Sequence, residues 1–398
     1  MKSRQPAELF ELPLHELRNG YRSDIYFWRE KRALEEHKLH PAVTMQVFQK
    51  NHALLCGMDE GIAVLRGASG YYRDYHKAER LFQQLQLLQH RVRQAMLHNR
   101  DDYRLNMIEL ADVSAELDEL WVNTFNELKI EALFDGNAIE PWESVMHING
   151  EAAYFAHLET IYLGILARRT RIATNVKRAV EAANGTPVLY FSGRFDHWAV
   201  QEGDGYAAFI GGAFGASVAS QCAWTEQKPI GTVPHALIAS VNGDTPKAVR
   251  IFGETYPDVN LVALVDFDND CVNTSIRCCE ALGENLWGVR LDTAQTMVDK
   301  SMIPVMGESA PTGVTPELAE MTRKALDDNG FKYVKIVVSG GFTSERIAHF
   351  EKLNAPVDAY GIGTHLLDGA YDFTADIVKP VAKEGRRFKP NPRFGNVT

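Results

Sequence analysis

Cysteine is scarce in this sequence, with five residues in a chain of 398, at positions 56, 222, 271, 278 and 279. The number is odd and no two of them form a C-x-x-C pair, which fits a reducing compartment. Cys278 and Cys279 are adjacent in a helical segment and point to different faces, as buried small apolar residues do. We therefore expect neither a disulfide framework nor a cysteine-built metal site.

Long apolar runs and concentrated basic stretches are also missing. No segment approaches the roughly 18 apolar residues of a membrane helix, and the first twenty residues lack the apolar core of a signal peptide. Lys and Arg number 42 against 52 Asp and Glu, a formal net charge of -10. The sequence therefore predicts a cytoplasmic protein without a membrane or nucleic-acid partner. A phosphorylated substrate would have to be held locally, by loops and a few arginines.

The length exceeds that of one ordinary core and predicts more than one domain. Residues 1–147 mix helical and strand patterns and predict an α+β domain. Within it, about 76–121 carries apolar residues at spacings of three and four, which predicts a helical insertion packed on its own domain or across a dimer rather than a mobile lid. Residues 370–398 return to strand and loop character, and we expect them to rejoin the N-terminal domain.

Short apolar runs alternate with helical segments between these two regions. Strand candidates lie near residues 188, 210, 231, 261, 287, 335 and 358. The clearest helix follows Thr315, which can cap it, and ends at Gly330. Such repeated βα units predict an irregular or incomplete parallel βα barrel over 148–369, so the fold class is α/β.

Glycines follow the last two strand candidates, in Ser339-Gly340-Gly341 and in Gly361-Ile362-Gly363-Thr364. Phosphate often binds the loops after strands seven and eight of a βα barrel, and glycine lets backbone N–H groups approach it. One such loop could be a mere tight turn. Two in the expected places favour phosphate binding.

Charged residues mark other strand ends. Arg290 and Asp292, two positions apart, point the same way. They form either a structural ion pair or a site in which Arg290 holds an anion while Asp292 accepts from a sugar hydroxyl or orients a metal-bound water. His235 is equally well a core histidine or a nucleophile or base. Asp266 and Asp268 could bind a divalent ion or cap the following helix.

Ten short motifs then occur in one order, namely R-x-D-I-Y, L-E-T, F-x-x-R, G-G-A-x-G-x-S, G-T-x-P-H-A-L-I, A-L-V-D, G-V-R-L-D-T, V-S-G-G, Y-G-I-G-T and D-F-T-A-D-I-V. Their order resembles the nicotinate phosphoribosyltransferase family, in particular its shorter archaeal and bacterial branch. The resemblance covers nearly the whole chain apart from about residues 70–135. Each motif is weak alone, but the ordered set is specific.

The resemblance implies a reaction as well as a fold. The pyridine nitrogen of nicotinate would attack C1 of 5-phosphoribosyl 1-pyrophosphate, giving nicotinate mononucleotide and pyrophosphate. Mg²⁺ would support the leaving group, and ATP could be coupled through a phosphorylated histidine. The implied fold is an irregular barrel plus an α+β domain made from both chain ends, assembled as a homodimer or higher homo-oligomer with shared active sites.

The resemblance also implies roles for particular residues and includes no protein ligand for a metal. Phe191 would stack on the pyridine ring, with Tyr26 covering its other face from the partner subunit. Arg194 and Arg290 would bind the carboxylate and phosphate groups, and Ser217 would face the pyridine substituent. Asp292 would bind the ribose, and His235 would accept the transferred phosphoryl group. The loops for the 5′-phosphate would contain Gly340, Gly341, Gly361, Gly363 and Thr364.

One position departs from the family pattern. Where F-G-x-R-R is usual, this chain has Phe191-Ser192-Gly193-Arg194-Phe195, so an aromatic residue replaces the second arginine. The change removes a bidentate anion contact and extends the apolar wall. It leaves open a phosphoribosyltransferase for another pyridine or aromatic base, and a non-catalytic phosphosugar- or nucleotide-binding paralogue.

Overall fold

The structure is a computed structural model that describes residues 4–98, 100–307 and 311–398. Its contacts divide the chain into two compact units, the first of Met1–Thr170 with Ala370–Thr398 and the second of Arg171–Gly369. The division falls inside one long helix, Glu159–Ala182. The boundary predicted from the sequence lies earlier, after residue 147, where the helical pattern begins.

The elements of the described residues are as follows. Helices are α1 Leu14–Arg18, α2 Ile25–Glu36, α3 Met58–Ala68, α4 Tyr75–Leu97, α5 Tyr103–Leu120, α6 Ala152–Phe155, α7 Glu159–Ala182, α8 Gln201–Ile210, α9 His235–Ser240, α10 Thr245–Thr255, α11 Cys271–Leu282, α12 Pro316–Asp328 and α13 Ser344–Lys352. Strands are β1 Ala42–Gln49, β2 Ala53–Leu54, β3 Gly70–Tyr72, β4 Trp121–Asn123, β5 Lys129–Ala132, β6 Ala138–Ile139, β7 Ser144–Glu151, β8 Val188–Tyr190, β9 Gly215–Ala216, β10 Val262–Leu264, β11 Gly288–Leu291, β12 Lys335–Val338, β13 Ala359–Ile362, β14 Phe373–Lys379 and β15 Gly395–Asn396.

A five-stranded antiparallel sheet organises the first unit, in the order β14-β1-β7-β5-β15. Its inner strand β1 pairs Val47 with Met146 on one side and with Ala375 on the other. Alternating apolar residues of β1, including Val43, Met45 and Val47, are buried in the core of this unit. One sheet thus combines strands from both ends of the chain.

Helices α4 and α5 form an antiparallel pair at the predicted helical insertion. The Asp74 carboxylate caps α4 by accepting from the Lys77 backbone N–H at 2.9 Å. The apolar stripes bury a small core of their own, made of Tyr72, Ala78, Leu81, Phe82, Leu85, Leu88, Val113, Leu117 and Trp121. The three- and four-residue spacing read from the sequence is therefore a packing stripe between two helices.

A six-stranded, entirely parallel sheet curls through the second unit as a half-barrel, in the order β10-β11-β12-β13-β8-β9. The prediction of a mixed α/β fold with parallel βα units is confirmed. The strand predicted near residue 210 is wrong, because Gln201–Ile210 is helix α8 and the strand follows at Gly215–Ala216. Glu202 and Asp204 in its first turn favour the helix through its dipole.

The predicted strand near residue 231 is an extended link rather than a strand. Ile230 N–H donates to Ala216 O at 2.8 Å, and Val233 N–H donates to Val262 O at 3.3 Å. Residues 230–233 therefore join β9 to β10, the two edges of the parallel sheet. Within the described residues, no helix is both long and apolar enough to cross a membrane.

The first unit buries one ammonium group completely. The Lys31 Nζ donates to Gly70 O at 2.5 Å, to Ala153 O at 2.6 Å and to the Glu35 carboxylate at 2.8 Å. Burial lowers the pKa of Lys31 to about 8, although Glu35 opposes the shift. This side chain ties helix α2 to two other backbone segments of the unit.

We predict that Lys31 makes stability rise with pH in an alkaline window. Between pH 8 and its ordinary value near 10.5, the unfolded chain binds more protons at this lysine than the folded protein does, so unfolding becomes less favourable as pH rises. Relative to Lys31→Met, the free energy of unfolding of the wild type should increase by about 2 kcal/mol from pH 7.5 to pH 10 in urea titrations. The exposed Lys332→Met is the control, and parallel pH profiles of wild type and Lys31→Met would contradict the prediction.

Candidate active site

A cavity of about 910 Å³ opens where the parallel strands of the second unit end. In parallel βα sheets this carboxyl edge carries the functional side chains. The lining includes eleven of the residues predicted from the sequence: Phe191, Arg194, Ser217, His235, Arg290, Asp292, Gly340, Gly341, Gly361, Gly363 and Thr364. The remaining predicted residue, Tyr26, belongs to the first unit, on α2, with its side chain 60% exposed.

Arg290 and Asp292 form a closed network with Ser339. The Arg290 guanidinium lies 3.0 Å from the Asp292 carboxylate, and its Nε donates to the Ser339 hydroxyl at 2.7 Å. That hydroxyl donates in turn to Asp292 at 2.6 Å. Ser339 is almost fully buried. Because each polar group has a partner, the carboxylate and the guanidinium are held in one orientation before any ligand arrives.

Sequence reasoning gave Ser339 only a place in a glycine loop and missed Thr232, whose hydroxyl accepts from Arg290 at 3.0 Å. The role of Ser339 follows from the register of two strands. Because β11 and β12 pair Leu291 with Val338, the next residues, Asp292 and Ser339, lie side by side. The pairing of two strands cannot be read from either strand alone.

His235 begins helix α9 and contacts an acidic residue that follows β10. Its Nε2 lies 3.1 and 3.2 Å from the two Asp266 carboxylate oxygens. The imidazole is 47% exposed, so the core-histidine alternative is wrong. Its Nδ1 has no partner among the described residues. Burial raises the pKa of Asp266, and the nearby Asp292 raises it further, while His235 opposes the shift.

The capping alternative for the two aspartates is also wrong. Helix α11 begins at Cys271, and its N-cap residue is Asp270 rather than Asp266 or Asp268. Asp268 lies 3.8 Å from Arg277, whereas Asp266 faces His235. Within the part of the chain that the structure describes, no group of three or more His, Cys, Asp or Glu is arranged to hold a metal ion.

The loop after β12 presents backbone N–H groups. Gly340 and Gly341 have φ of 90° and 72°, a conformation that side-chain-bearing residues rarely adopt. Their carbonyl oxygens accept from Arg346 at 2.9 and 3.2 Å. Their N–H groups have no acceptor among the described residues and lie just before the N-terminus of α13, which Thr343 caps. Unpaired amides beside the positive end of a helix form a site for an anion.

The glycines after β13 have a different environment. An added Cβ at Gly361 would lie 2.6 Å from Cε2 of Phe191, and one at Gly363 would lie 2.4 Å from Cε2 of Phe195. Both rings therefore pack directly on glycine backbone. Each ring also faces a guanidinium, since Arg290 lies 5.3 Å from the Phe191 centroid and Arg194 lies 5.2 Å from the Phe195 centroid. The phosphate role of Gly361 and Gly363 remains a prediction.

Relatives of known name support the resemblance seen in the motifs. The chain is 29% identical over 256 residues to nicotinate phosphoribosyltransferase pncB1 of Mycobacterium tuberculosis (strain H37Rv), covering 63% of this chain and 52% of that protein. It is 27% identical over 248 residues to nicotinate phosphoribosyltransferase of Bacillus subtilis (strain 168), covering 60% and 45%. The chain thus spans about half the length of the curated relatives it matches. No protein-family model matches it.

A solved structure matches over almost the whole chain. It is the crystal structure of nicotinate-nucleotide pyrophosphorylase from Pyrococcus furiosus, with a TM-score of 0.71 and 28% sequence identity, covering 98% of this chain and 85% of that one. Together with the curated relatives, this structure confirms the resemblance to the nicotinate phosphoribosyltransferase family.

We predict that Gly341→Ala weakens binding of inorganic phosphate by about tenfold, because the added Cβ would meet Nε2 of Gln295 at 1.8 Å and a φ of 72° strains any side chain. Isothermal titration calorimetry measures the affinity. Gly164→Ala, whose Cβ would meet nothing within 4 Å, is the matched control. Equal phosphate affinity in Gly341→Ala and Gly164→Ala would show that this loop does not bind the anion.

Proposed function

We propose that this protein transfers the phosphoribosyl group of 5-phosphoribosyl 1-pyrophosphate to the ring nitrogen of nicotinate, releasing nicotinate mononucleotide and pyrophosphate for NAD salvage. One observation carries the proposal above all. A single cavity combines an aromatic face, two arginines, a fixed carboxylate and a glycine loop with unpaired N–H groups, in a chain related to proteins named nicotinate phosphoribosyltransferase.

The substrate phosphates match the two loops at the strand ends. Gly340 and Gly341 offer unpaired N–H groups beside the N-terminus of α13, which suits a terminal phosphate that must be held without chemistry. Thr364 lines the same cavity from the loop after β13. In this arrangement the ribose of the substrate lies between the loops and Asp292.

The carboxylate of Asp292 suits a reaction that passes through an oxocarbenium-like transition state. Positive charge develops at C1 as the pyrophosphate leaves, and a negative group already held in place stabilises that charge without reorganising. Ser339 and Arg290 provide that fixation. The Phe191 ring offers a flat face for the pyridine, so the base can slide toward C1 while it stays stacked. Ser217 lines the cavity where the ring substituent is expected.

The donor set also fits Mg²⁺. This ion is usually held by one or two carboxylates together with substrate phosphates and water. Asp266 and Asp292 are close enough for Asp292 to raise the pKa of Asp266, so a cation between them and the pyrophosphate would relieve repulsion. When bound, Mg²⁺ would neutralise charge on the departing pyrophosphate. The protein residues would orient the substrate around it.

ATP coupling would use His235. Its Nε2 is engaged by Asp266, which leaves Nδ1 as the nitrogen available to accept the γ-phosphoryl group of ATP, with ADP leaving. Asp266 would hold the ring and stabilise its charge during that transfer. The exposed position of the imidazole allows ATP to reach it.

Assembly and compartment complete the proposal. The second unit would act as the barrel of a barrel-plus-α+β architecture, in a cytoplasmic homodimer or higher homo-oligomer. Tyr26, exposed on α2 of the first unit, would cover the free face of the pyridine in a partner subunit. An aromatic side chain on each face would sandwich the base.

We predict turnover of nicotinate with 5-phosphoribosyl 1-pyrophosphate, measured as pyrophosphate release, and little with nicotinamide or pyridine-2,3-dicarboxylate. Asp292→Asn should lower kcat by about a hundredfold, because it removes the negative charge facing C1. The exposed Asp258→Asn is its control. No nicotinate turnover would refute the transfer to this base, and turnover of another base alone would identify a different phosphoribosyltransferase. Binding of 5-phosphoribosyl 1-pyrophosphate without any turnover would favour a non-catalytic paralogue.

We also predict that ATP phosphorylates His235. Wild type incubated with labelled ATP should acquire acid-labile, base-stable phosphate, and His235→Ala should acquire none and lose the stimulation of turnover by ATP. His90→Ala, which removes an exposed histidine on α4, controls for non-specific labelling. ATP stimulation that persists in His235→Ala would refute the assignment.

A further inference from the structure

Helices α4 and α5 form a hairpin that exposes large apolar side chains. Leu87 on α4 is 50% exposed, and Leu105 and Ile108 on α5 are 68% and 60% exposed. None of the three belongs to the small core between the two helices. Single exposed apolar residues are ordinary on a protein surface, whereas a group of them on one side marks an interaction site.

Helical periodicity places these residues in two stripes. The stripe on α4 has spacings of four, three and four residues and consists of Arg80, Gln84, Leu87 and Arg91. The stripe on α5 has the same spacings and consists of Leu105, Glu109, Asp112 and Glu116. Because Gln84 Nε2 donates to Glu109 at 3.0 Å, both stripes lie on one side of the hairpin, which we call the seam face. Ile108, four residues before Asp112, borders it.

The hairpin contacts α1 and the residues that follow it through its opposite side. Asp118 of α5 lies 2.6 Å from Arg18, and the Phe82 ring of α4 meets the Tyr21 ring edge-on with centroids 5.8 Å apart. Phe82 and Asp118 each lie two residues from a stripe position, a rotation of about 200° around a helix with 3.6 residues per turn. The seam face is therefore left uncovered by the described residues of this chain.

The two halves of the seam face carry opposite charge. Helix α4 has four Lys or Arg against one acidic residue, and α5 has five Asp or Glu against one Arg. The side chains of Arg80, Arg91 and Asp112 form no hydrogen bond or ion pair with any described residue. A face with a basic half and an acidic half is complementary to a second copy of itself when the halves exchange places.

We propose that the seam face binds the seam face of a second copy of this chain, with α4 of each copy lying on α5 of the other. A two-fold axis parallel to the helices produces this antiparallel four-helix arrangement. A two-fold axis across the helices would instead put α4 on α4 and α5 on α5, where like charges oppose each other. The contact is separate from any sharing of active sites and does not depend on the phosphoribosyl transfer.

The hairpin register sets which residues meet. A two-fold axis parallel to the helices keeps each residue at its own level along that axis. The hydrogen bond between Gln84 and Glu109 places Arg80 level with Asp112, and Leu87 level with Leu105, each to within one residue. Arg80 of one copy therefore meets Asp112 of the other, and the two Leu87–Leu105 pairs form the apolar centre of the contact.

The area of the seam face is sufficient for a specific contact. The shorter helix, α5, has 18 residues and is about 27 Å long at 1.5 Å per residue. Two helices that are each about 10 Å wide then cover about 540 Å² on each copy, or about 1,100 Å² in total. Specific interfaces begin at about 1,000 Å².

Sedimentation equilibrium of the full chain tests the charge pairing. Arg80→Glu and Asp112→Arg each place like charges opposite each other, so each should raise the dissociation constant of self-association at least about tenfold. An equimolar mixture of the two variants should associate as the wild type does, because each reversed charge then meets its opposite. Arg93→Glu and Asp258→Arg, exposed positions outside the seam face, are the controls and should keep the wild-type constant.

The apolar centre has a test of its own. Leu87→Glu would bury a carboxylate against Leu105 of the other copy and should raise the same dissociation constant at least about tenfold. Leu353→Glu introduces the same charge at another exposed leucine, outside the hairpin, and is the matched control.

Recovery of association in the mixture, together with its loss in each single variant, supports the contact and its orientation. A wild type that does not self-associate, or seam-face variants that keep the wild-type constant, would overturn the proposal and leave the face for solvent or another protein. Loss in both charge variants without recovery in the mixture would refute the placement of α4 on α5. Nicotinate turnover is measured separately, and its absence would refute the proposed transfer without affecting this contact.

Discussion

The in-register pairing of β11 with β12 is the constraint on which the site depends. It places Arg290, Asp292 and Ser339 at adjacent strand ends, where two charges and a buried hydroxyl satisfy one another. A slip of one residue in this parallel pair would turn the alternating side chains to opposite faces and leave a buried polar group without a partner. The hydrophobic pairing of Val289 with Ile336 within the sheet opposes that slip.

Different parts of the cavity wall around this network present different chemical groups. Backbone N–H groups after β12 and the N-terminus of α13 supply positive character without a charged side chain, while the Phe191 and Phe195 rings supply flat apolar surface. In a chain with a net charge of -10, local dipoles and two arginines thus concentrate positive character in this one cavity.

Sequence patterns predicted the parallel βα units and the residues that meet in the cavity, because strand-end position and glycine content are local properties. They failed where the conformation or the contacts of a residue depend on distant parts of the chain. The run near residue 210 looks apolar and glycine-rich in either a helix or a strand, and only its packing makes it the end of α8. Asp266 resembled a helix cap until its distance to His235 was known. Gly361 and Gly363 each pack against a ring from a segment about 170 residues earlier, a contact that no local pattern reveals, and their phosphate role stays a prediction.

The extended link of residues 230–233 is held by fewer backbone hydrogen bonds than the strands that form the other walls of the cavity. Among the described residues, one backbone hydrogen bond holds it on each side, whereas neighbouring strands share continuous ladders. The link carries Thr232, which binds Arg290, and leads directly into His235. A displacement of this link would therefore move the His235 imidazole and the Thr232 hydroxyl that accepts from Arg290 together, because only two residues separate them along the chain.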